Sequence, residues 1–221
     1  MKYAASIVIA FLALVVWAGT PLSWAGDGRN VSSINGGVTA SPGETYDTLS
    51  TVNGNVHVGR GAIADHAKTV NGEITVEDSA KLGEVNTVNG SLEIGDDVTI
   101  ERTASTVNGS VELGKRTHVG GDVSTVSGEI ELKGAEVGGK LTTRNGDIDL
   151  SDGARVRGGI LVKKSNDDSW GWKKDKDNLL HVHICSTCVV DGELRFERPV
   201  ELRVDQGAKI GQVIGDSVTR R

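Results

Sequence analysis

The stretch TVNGNVHV (residues 51–58) recurs along the chain as TVNGEITV (69–76), TVNGSLEI (87–94), TVNGSVEL (106–113), TVSGEIEL (125–132) and TRNGDIDL (143–150). Successive copies start 18, 18, 19, 19 and 18 residues apart, at residues 51, 69, 87, 106, 125 and 143. A degenerate first copy begins at Ser33. A fixed period of this length predicts stacked structural units.

Apolar residues two apart on either side of the motif indicate short strands, because side chains at i and i+2 share a strand face. The fifth unit shows three such pairs: Ile130/Leu132, Ala135/Val137 and Leu141/Thr143. We expect each strand to pair in parallel with its copy about 4.8 Å away. The predicted fold is therefore all-β, a single-stranded parallel β-helix (β-solenoid) of roughly triangular section. It has 18–19 residues and three short strands per turn, and we expect a right-handed coil.

The Asn-Gly pair predicts a corner in every turn. Glycine adopts positive φ freely, and asparagine does so more readily than most residues. Stacked turns place the asparagines in a column, in which amides that point inward can hydrogen-bond from rung to rung as in other parallel stacks. Ser127 interrupts that column, and a ligand-binding role is the alternative to the structural ladder. The predicted ladder residues are Asn53, Asn71, Asn89, Asn108 and Asn145.

The first 25 residues have the form of a Sec-type signal peptide. Lys2 precedes a nearly continuous apolar run over residues 4–18, and Ser23-Trp24-Ala25 places small residues at a cleavage site. We expect cleavage after Ala25, a periplasmic or secreted bacterial protein, and no membrane span in the mature chain. An uncleaved anchor is the alternative, although the apolar run is short for a span of about 20 residues.

Beyond the signal, the sequence divides at an interruption of the repeat. Residues 26–162 are predicted as solenoid with an N-terminal cap turn, and 163–178 as a charged loop insertion. Residues 179–215 are predicted as C-terminal solenoid turns, and 216–221 as a tail. The formal net charge of −6 and the lack of a basic stripe argue against a nucleic-acid partner.

Two tryptophans, Trp170 and Trp172, lie in the predicted insertion. Exposed aromatic rings can stack on sugars or dock a partner. Folding back over the flank of the rod is an equally open interpretation.

The segment LHVHICSTC (180–188) places His181, His183 and Cys185 on one face of a strand, with Cys188 a turn later. This spacing permits a four-ligand zinc or copper site. In an exported protein, Cys-x-x-Cys is also typical of a disulfide. Unpaired cysteines are the third alternative.

The outward positions of the first strand in each unit are mostly acidic. This pattern suggests a surface for a divalent cation or a basic partner, or alternatively a solvated face that keeps the rod soluble. These positions and those two residues earlier include Glu73, Glu93, Glu112, Glu129, Glu131, Asp147 and Asp149.

The repeated Val-Asn-Gly-x-Ile-x-Val, with Val-Gly-Gly-x-Val between copies, resembles the adhesin-type β-solenoids of bacterial envelopes, whose rungs carry a vNGdi motif. The rung length is also similar to that of bactofilins, polymer-forming cytoskeletal proteins. The resemblance covers residues 33–162 and, loosely, 190–215, and it implies a rigid scaffold. Bactofilins are cytosolic, and the predicted signal peptide departs from that pattern.

No nucleophile–base constellation, phosphate loop or zinc-protease motif is present in the sequence. We therefore expect a non-catalytic exported scaffold, structural or adhesin-like, that associates with itself through its terminal edges or binds an envelope component. One alternative is a metal- or redox-active protein using the His181–Cys188 segment. The other is a carbohydrate-binding module using Trp170 and Trp172. We expect no cofactor unless zinc or copper binds.

Overall fold

A computed structural model describes residues 28–164 and 179–215, together with the backbone of 218–220. The predicted signal peptide, most of the predicted insertion and both of its tryptophans lie outside these residues. The first seven strands are β1 (Arg29–Asn35), β2 (Val38–Ala40), β3 (Thr45–Asn53), β4 (Val56–Val58), β5 (Ile63–Asn71), β6 (Ile74–Val76) and β7 (Lys81–Asn86).

The middle of the chain continues with short strands. They are β8 (Leu92–Ile94), β9 (Thr99–Ile100), β10 (Ala104–Ser105), β11 (Val111–Leu113), β12 (His118–Val119), β13 (Val123–Ser124), β14 (Ile130–Lys133), β15 (Glu136–Val137), β16 (Leu141–Thr143), β17 (Ile148–Ser151), β18 (Arg155–Val156) and β19 (Ile160–Val162). The last are β20 (Leu180–Ile184), β21 (Val189–Val190), β22 (Leu194–Phe196), β23 (Val200–Val204), β24 (Lys209–Ile210), β25 (Val213–Ile214) and β26 (Val218–Arg220).

These strands stack in parallel as a β-solenoid of about ten turns, which confirms the predicted fold class. One face is a ten-stranded sheet in the order β2-β4-β6-β8-β11-β14-β17-β20-β23-β26. The second sheet has sixteen strands and bends around a corner, because β7 pairs with both β9 and β10. From that turn onward each rung has three separate short strands.

The earlier turns differ from the expectation of three short strands. β3 and β5 are each nine residues long and pass without a break around a corner. In later rungs, that corner separates two short strands. The buried residues Ala64 and Ala67 are three apart instead of two, so the bend occurs within a continuous strand.

The interior is a narrow column of aliphatic side chains. Residues that face inward from successive rungs, such as Leu92, Val111, Ile130 and Ile148, pair in register and are almost fully buried. Each such side chain contributes about 1.5–3 kcal/mol through burial.

The Asn-Gly corner is organised by close approach between rungs. At Gly54, Gly72, Gly90, Gly109, Gly128 and Gly146, an added Cβ would come closer than 3.0 Å to the carbonyl oxygen of the corner glycine one rung earlier. Gly72 and Gly109 have φ values of 158° and 159°, close to extended backbone, whereas Gly128 has a φ of 145°, which residues other than glycine rarely adopt. Glycine is therefore required here mainly by the adjacent rung. The sequence-based explanation by positive φ was incomplete.

The threonine that opens each motif is buried and hydrogen-bonded to the same corner. Its hydroxyl donates to the carbonyl oxygen of the corner glycine one rung earlier, at 2.9–3.1 Å. The donors are Thr51, Thr69, Thr87, Thr106 and Thr125. This bond satisfies the one polar atom that each motif threonine brings into the core.

The stack continues on the far side of the predicted insertion, since β20 pairs in register with β17. Residues 216–221 were predicted as a tail, but β26 pairs with β23 through Val218↔Val200. Main-chain pairing with the preceding rung extends the sheet into a segment whose hydropathy gave no strand signal.

Candidate functional site

The asparagine column forms at the exposed corner of the rod, and its side chains do not point into the core. In each step an Nδ2 donates to the Oδ1 of the asparagine one rung earlier, at 2.9–3.1 Å. The linked residues are Asn35, Asn53, Asn71, Asn89 and Asn108. The inward orientation considered for these amides is thus wrong, although the rung-to-rung bonds are present.

Asn145 stands apart from this column. Ser127 occupies the intervening rung and pairs with Asn108 on one side and Asn145 on the other through the backbone. The Asn145 Oδ1 instead accepts a hydrogen bond from Arg198 Nη1 at 2.8 Å.

The ten-stranded face carries a row of carboxylates, here called the acidic row: Glu93, Glu112, Glu131 and Asp149. Each residue lies directly opposite the next in parallel register, so the like charges repel across one rung spacing. The row continues into His183 and Arg203, so that its charge changes sign along the rod.

Partial burial and neighbouring carboxylates on this face raise the pKa values of two flanking glutamates. Partial burial, followed by repulsion from Glu93, raises the pKa of Glu73. The pKa of Glu129 is raised by partial burial and then by Glu131 and Asp147. Both carboxyls are therefore less readily ionised than free glutamate.

Lys133 partly neutralises the acidic row. Its Nζ contacts the carboxylates of Glu112 and Glu131, the latter at 3.1 Å. Hydrogen bonds to these two carboxylates raise the pKa of Lys133. Part of the row's charge is thus balanced within the chain.

His183 lies between two carboxylates from neighbouring rungs. Its Nδ1 is 2.6 Å from Asp149 Oδ1, and its Nε2 is 3.2 Å from Asp205 Oδ2. The hydrogen bond to His183 lowers the pKa of Asp205. His181, on the same face, contacts Asp147 and Glu201 at 3.4 and 3.9 Å. Neither acidic partner of His183 was identified from the sequence. Asp149 lies opposite His183 in the rung register, whereas Asp205 lies two residues beyond Arg203, the residue opposite His183 in the next rung.

Cys185 and Cys188 form a disulfide with a Cα–Cα distance of 5.1 Å. Of the alternatives left open by the sequence, the structure has the disulfide. In this state the two sulfurs are not thiolates, and the thiolate is the form in which cysteine binds a metal. Among the described residues, no three or more His, Cys, Asp or Glu side chains are placed so that they could hold a metal ion.

Trp170 and Trp172 lie outside the described residues, so the sugar-stacking hypothesis stays a prediction. Within the part of the chain that the structure describes, no helix is long and apolar enough to cross a bilayer.

Comparisons with models of known protein families, with curated proteins and with solved structures gave no match. The resemblance to envelope adhesins and bactofilins therefore stays a prediction, and the shared feature that stands is the parallel β-solenoid. Chemically, the described surface offers a charged face of fixed spacing and an ordered amide column. Both arrangements suit recognition or assembly.

Proposed function

We propose that this protein is a non-catalytic, exported scaffold of the bacterial cell envelope, adhesin-like, which associates with a second copy of itself. The observation that carries the proposal is the uninterrupted parallel stack of about ten rungs. Such a stack holds surface groups at a constant spacing of about 4.8 Å over roughly 50 Å of length. A scaffold requires this kind of rigidity.

The first turn supplies the contact surface for the second copy. Both sheets end there, because β1 pairs only with β3 and β2 only with β4 among the described strands. An unpaired strand edge is a template for pairing with another chain. Ile34, on β1, is 71% exposed, so the edge carries an apolar side chain that a second copy would cover.

The test is the mass of the purified protein by multi-angle light scattering over a range of concentrations, together with electron microscopy. We expect dimers or longer rods. Ile34→Lys places a charge at the first turn and should shift the population to monomers.

Ile63→Lys is the matched control, because Ile63 is the other large exposed apolar residue of the described chain, at 43%, and lies within the stack. This variant should associate like the parent. A monomer at all concentrations, or equal effects of the two variants, would contradict the self-association proposal. Recovery of the protein from the cytoplasm, with its first 25 residues intact, would contradict export.

The metal-binding and carbohydrate-binding alternatives keep distinct tests. Elemental analysis of the purified protein reports bound zinc or copper. Titration with glycans while tryptophan fluorescence is monitored reports binding at Trp170 and Trp172. A bound metal or a saturable fluorescence change would favour the corresponding alternative over the scaffold.

A further inference from the structure

Among the described residues, the corner at Asn145 and Gly146 does not make two hydrogen bonds that the earlier corners make. Thr143 occupies the same inward position as the bonded threonines, yet its buried Oγ1 has no partner among the described residues. The buried Nε of Arg144 is likewise without a partner within the described chain. In the described structure, the threonine hydroxyl bond of the corner is therefore missing at this rung, the last complete one before the interruption of the repeat.

The Gly146 amide differs in the same way. At the earlier corners the glycine N–H donates to the carbonyl oxygen of the asparagine or serine in the next rung, as in Gly72 N to Asn89 O at 3.0 Å and Gly109 N to Ser127 O at 2.9 Å. For the Gly146 N–H no backbone acceptor is found among the residues that the structure describes. Within the described chain, this nitrogen thus lacks the rung-to-rung hydrogen bond that its counterparts make.

The Asn145 side chain is held in a different way from the ladder amides. A ladder residue such as Asn89 both donates and accepts, so moving its amide breaks two hydrogen bonds. Asn145 is exposed, and among the described residues its Oδ1 accepts from the Arg198 guanidinium alone, which also donates to the Arg144 carbonyl at 2.9 Å. A cation on the carboxamide oxygen draws electron density from Cγ.

These features together favour one reaction. The backbone nitrogen of Gly146 attacks Asn145 Cγ, the N–Cγ bond forms, and negative charge develops on Oδ1. A fixed donor aimed at a developing oxyanion stabilises it, and Arg198 Nη1 is such a donor. The Cγ–Nδ2 bond then breaks, and ammonia leaves with the proton of the Gly146 amide.

The product of that step is a cyclic succinimide. Water adds to one of its two carbonyl groups and opens the ring, which gives aspartate or isoaspartate at position 145. The net change is one water consumed and one ammonia released, with no oxidant or reductant.

We propose that Asn145–Gly146 is a self-modification site at which Arg198 promotes deamidation, while the ladder asparagines are protected by their hydrogen bonds. An aspartate product would face the Arg198 guanidinium as an ion pair. An isoaspartate product would lengthen the main chain at the corner where rungs approach most closely.

The experiment ages the purified, folded protein at neutral pH and digests samples with a lysine-specific protease. Residues 69–81 and 141–163 are each released as one peptide, and each contains a single asparagine, Asn71 or Asn145. Mass spectrometry then follows the replacement of the amide by a carboxyl group. We expect Asn145 to convert at least about tenfold faster than Asn71, the factor that about 1.4 kcal/mol of lost hydrogen bonding would give.

The same digest of protein aged in urea separates structure from local sequence. In the unfolded chain the two peptides should convert at similar rates. A similar ratio in folded and unfolded protein would overturn the proposal, as would equal rates in the folded protein.

Two variants test the assigned roles, with circular dichroism and urea midpoints confirming that each remains folded. Ser127→Asn supplies the missing ladder residue and should slow Asn145 conversion about tenfold. Arg198→Met removes the donor and should slow it by about tenfold or more. An unchanged rate in Arg198→Met would overturn the role of Arg198, and an unchanged rate in Ser127→Asn would overturn protection by the ladder.

Discussion

Gly90 and Gly72 approach so closely at the Asn-Gly corner that a Cβ atom on Gly90 would fall within 3.0 Å of the Gly72 carbonyl oxygen. That oxygen belongs to the backbone and cannot rotate away as a side chain would. Accommodating a methyl group therefore requires two rungs to separate locally.

Replacing Gly90 with alanine should lower the free energy of unfolding by about 3 kcal/mol or more, because the added atom forces a backbone shift in a packed stack. Gly61→Ala is the matched control. Gly61 has φ of 67° and no atom within 4 Å of the added Cβ, so only the left-handed conformation costs energy, about 1 kcal/mol. Urea denaturation compares the two. Equal losses would mean that the close approach of the rungs adds nothing measurable to the requirement for glycine at Gly90.

The motif threonines allow a test of the buried hydroxyl. Thr106 Oγ1 donates to Gly90 O at 2.9 Å, whereas the buried Thr143 Oγ1 has no partner in the described structure. Thr106→Val should destabilise the protein by about 1 kcal/mol, and Thr143→Val should stabilise it by a similar amount, since it removes an unsatisfied polar atom. Thermal or urea unfolding gives both values. The same sign for the two variants would contradict this assignment.

The raised pKa of Glu129 gives a pH-dependent prediction. A carboxyl whose pKa is raised on folding contributes stability below its unfolded pKa of about 4.3 and loses that contribution as the pH rises through the folded value. At pH 7, Glu129→Gln should therefore stabilise the protein, by about 0.5 kcal/mol because the group is largely exposed.

That gain should vanish in acid, where Glu129 is protonated in the parent, and shrink as salt screens the acidic row. Glu101→Gln, at a corner away from this face, removes the same charge as a control. A gain at pH 7 that persists unchanged at pH 3.5 would rule out repulsion as its cause.

Loss of the disulfide should lower the stability of the protein modestly and leave the rest of the fold intact. Cys185 and Cys188 close a very short loop, for which chain-entropy reasoning gives about 2 kcal/mol. The Cys185→Ala/Cys188→Ala double variant should lose about that much stability and keep the β-rich circular dichroism spectrum. Thiol titration of the denatured, unreduced parent should detect no free thiol. Two titratable thiols would reopen the metal-binding alternative.

The sequence was sufficient to predict the coil because side-chain alternation and an 18–19-residue period are both local signals. Residues such as Ile130 and Leu132 face the core because they are two apart in an extended strand. The same signals could not show that Gly90 almost touches the preceding rung. An Asn-Gly pair occurs equally in turns shaped by φ and in corners shaped by a neighbouring backbone, and only three-dimensional stacking distinguishes them.

The candidate site was less accessible to prediction for a related reason. Asp149 and His183 are 34 residues apart, and they meet only because the interruption of the repeat adds chain without adding a rung. Arg198 and Asn145 are separated by 53 residues for the same reason. Predicting such pairs requires the number of residues between adjacent rungs. The repeat period gives that number only where the repeat is uninterrupted.

The glycine-to-carbonyl stacking also determines how the length of this protein can change. A segment inserted or deleted as one whole turn displaces everything beyond it by a single step of about 4.8 Å and leaves every column aligned. A partial turn built into the stack would instead transfer outward side chains to another face and bury them, unlike the extra residues between β19 and β20, which leave the rungs in register. Gene duplications can therefore lengthen this rod only in discrete units, each of which brings one more asparagine, one more threonine and one more carboxylate to columns that already exist.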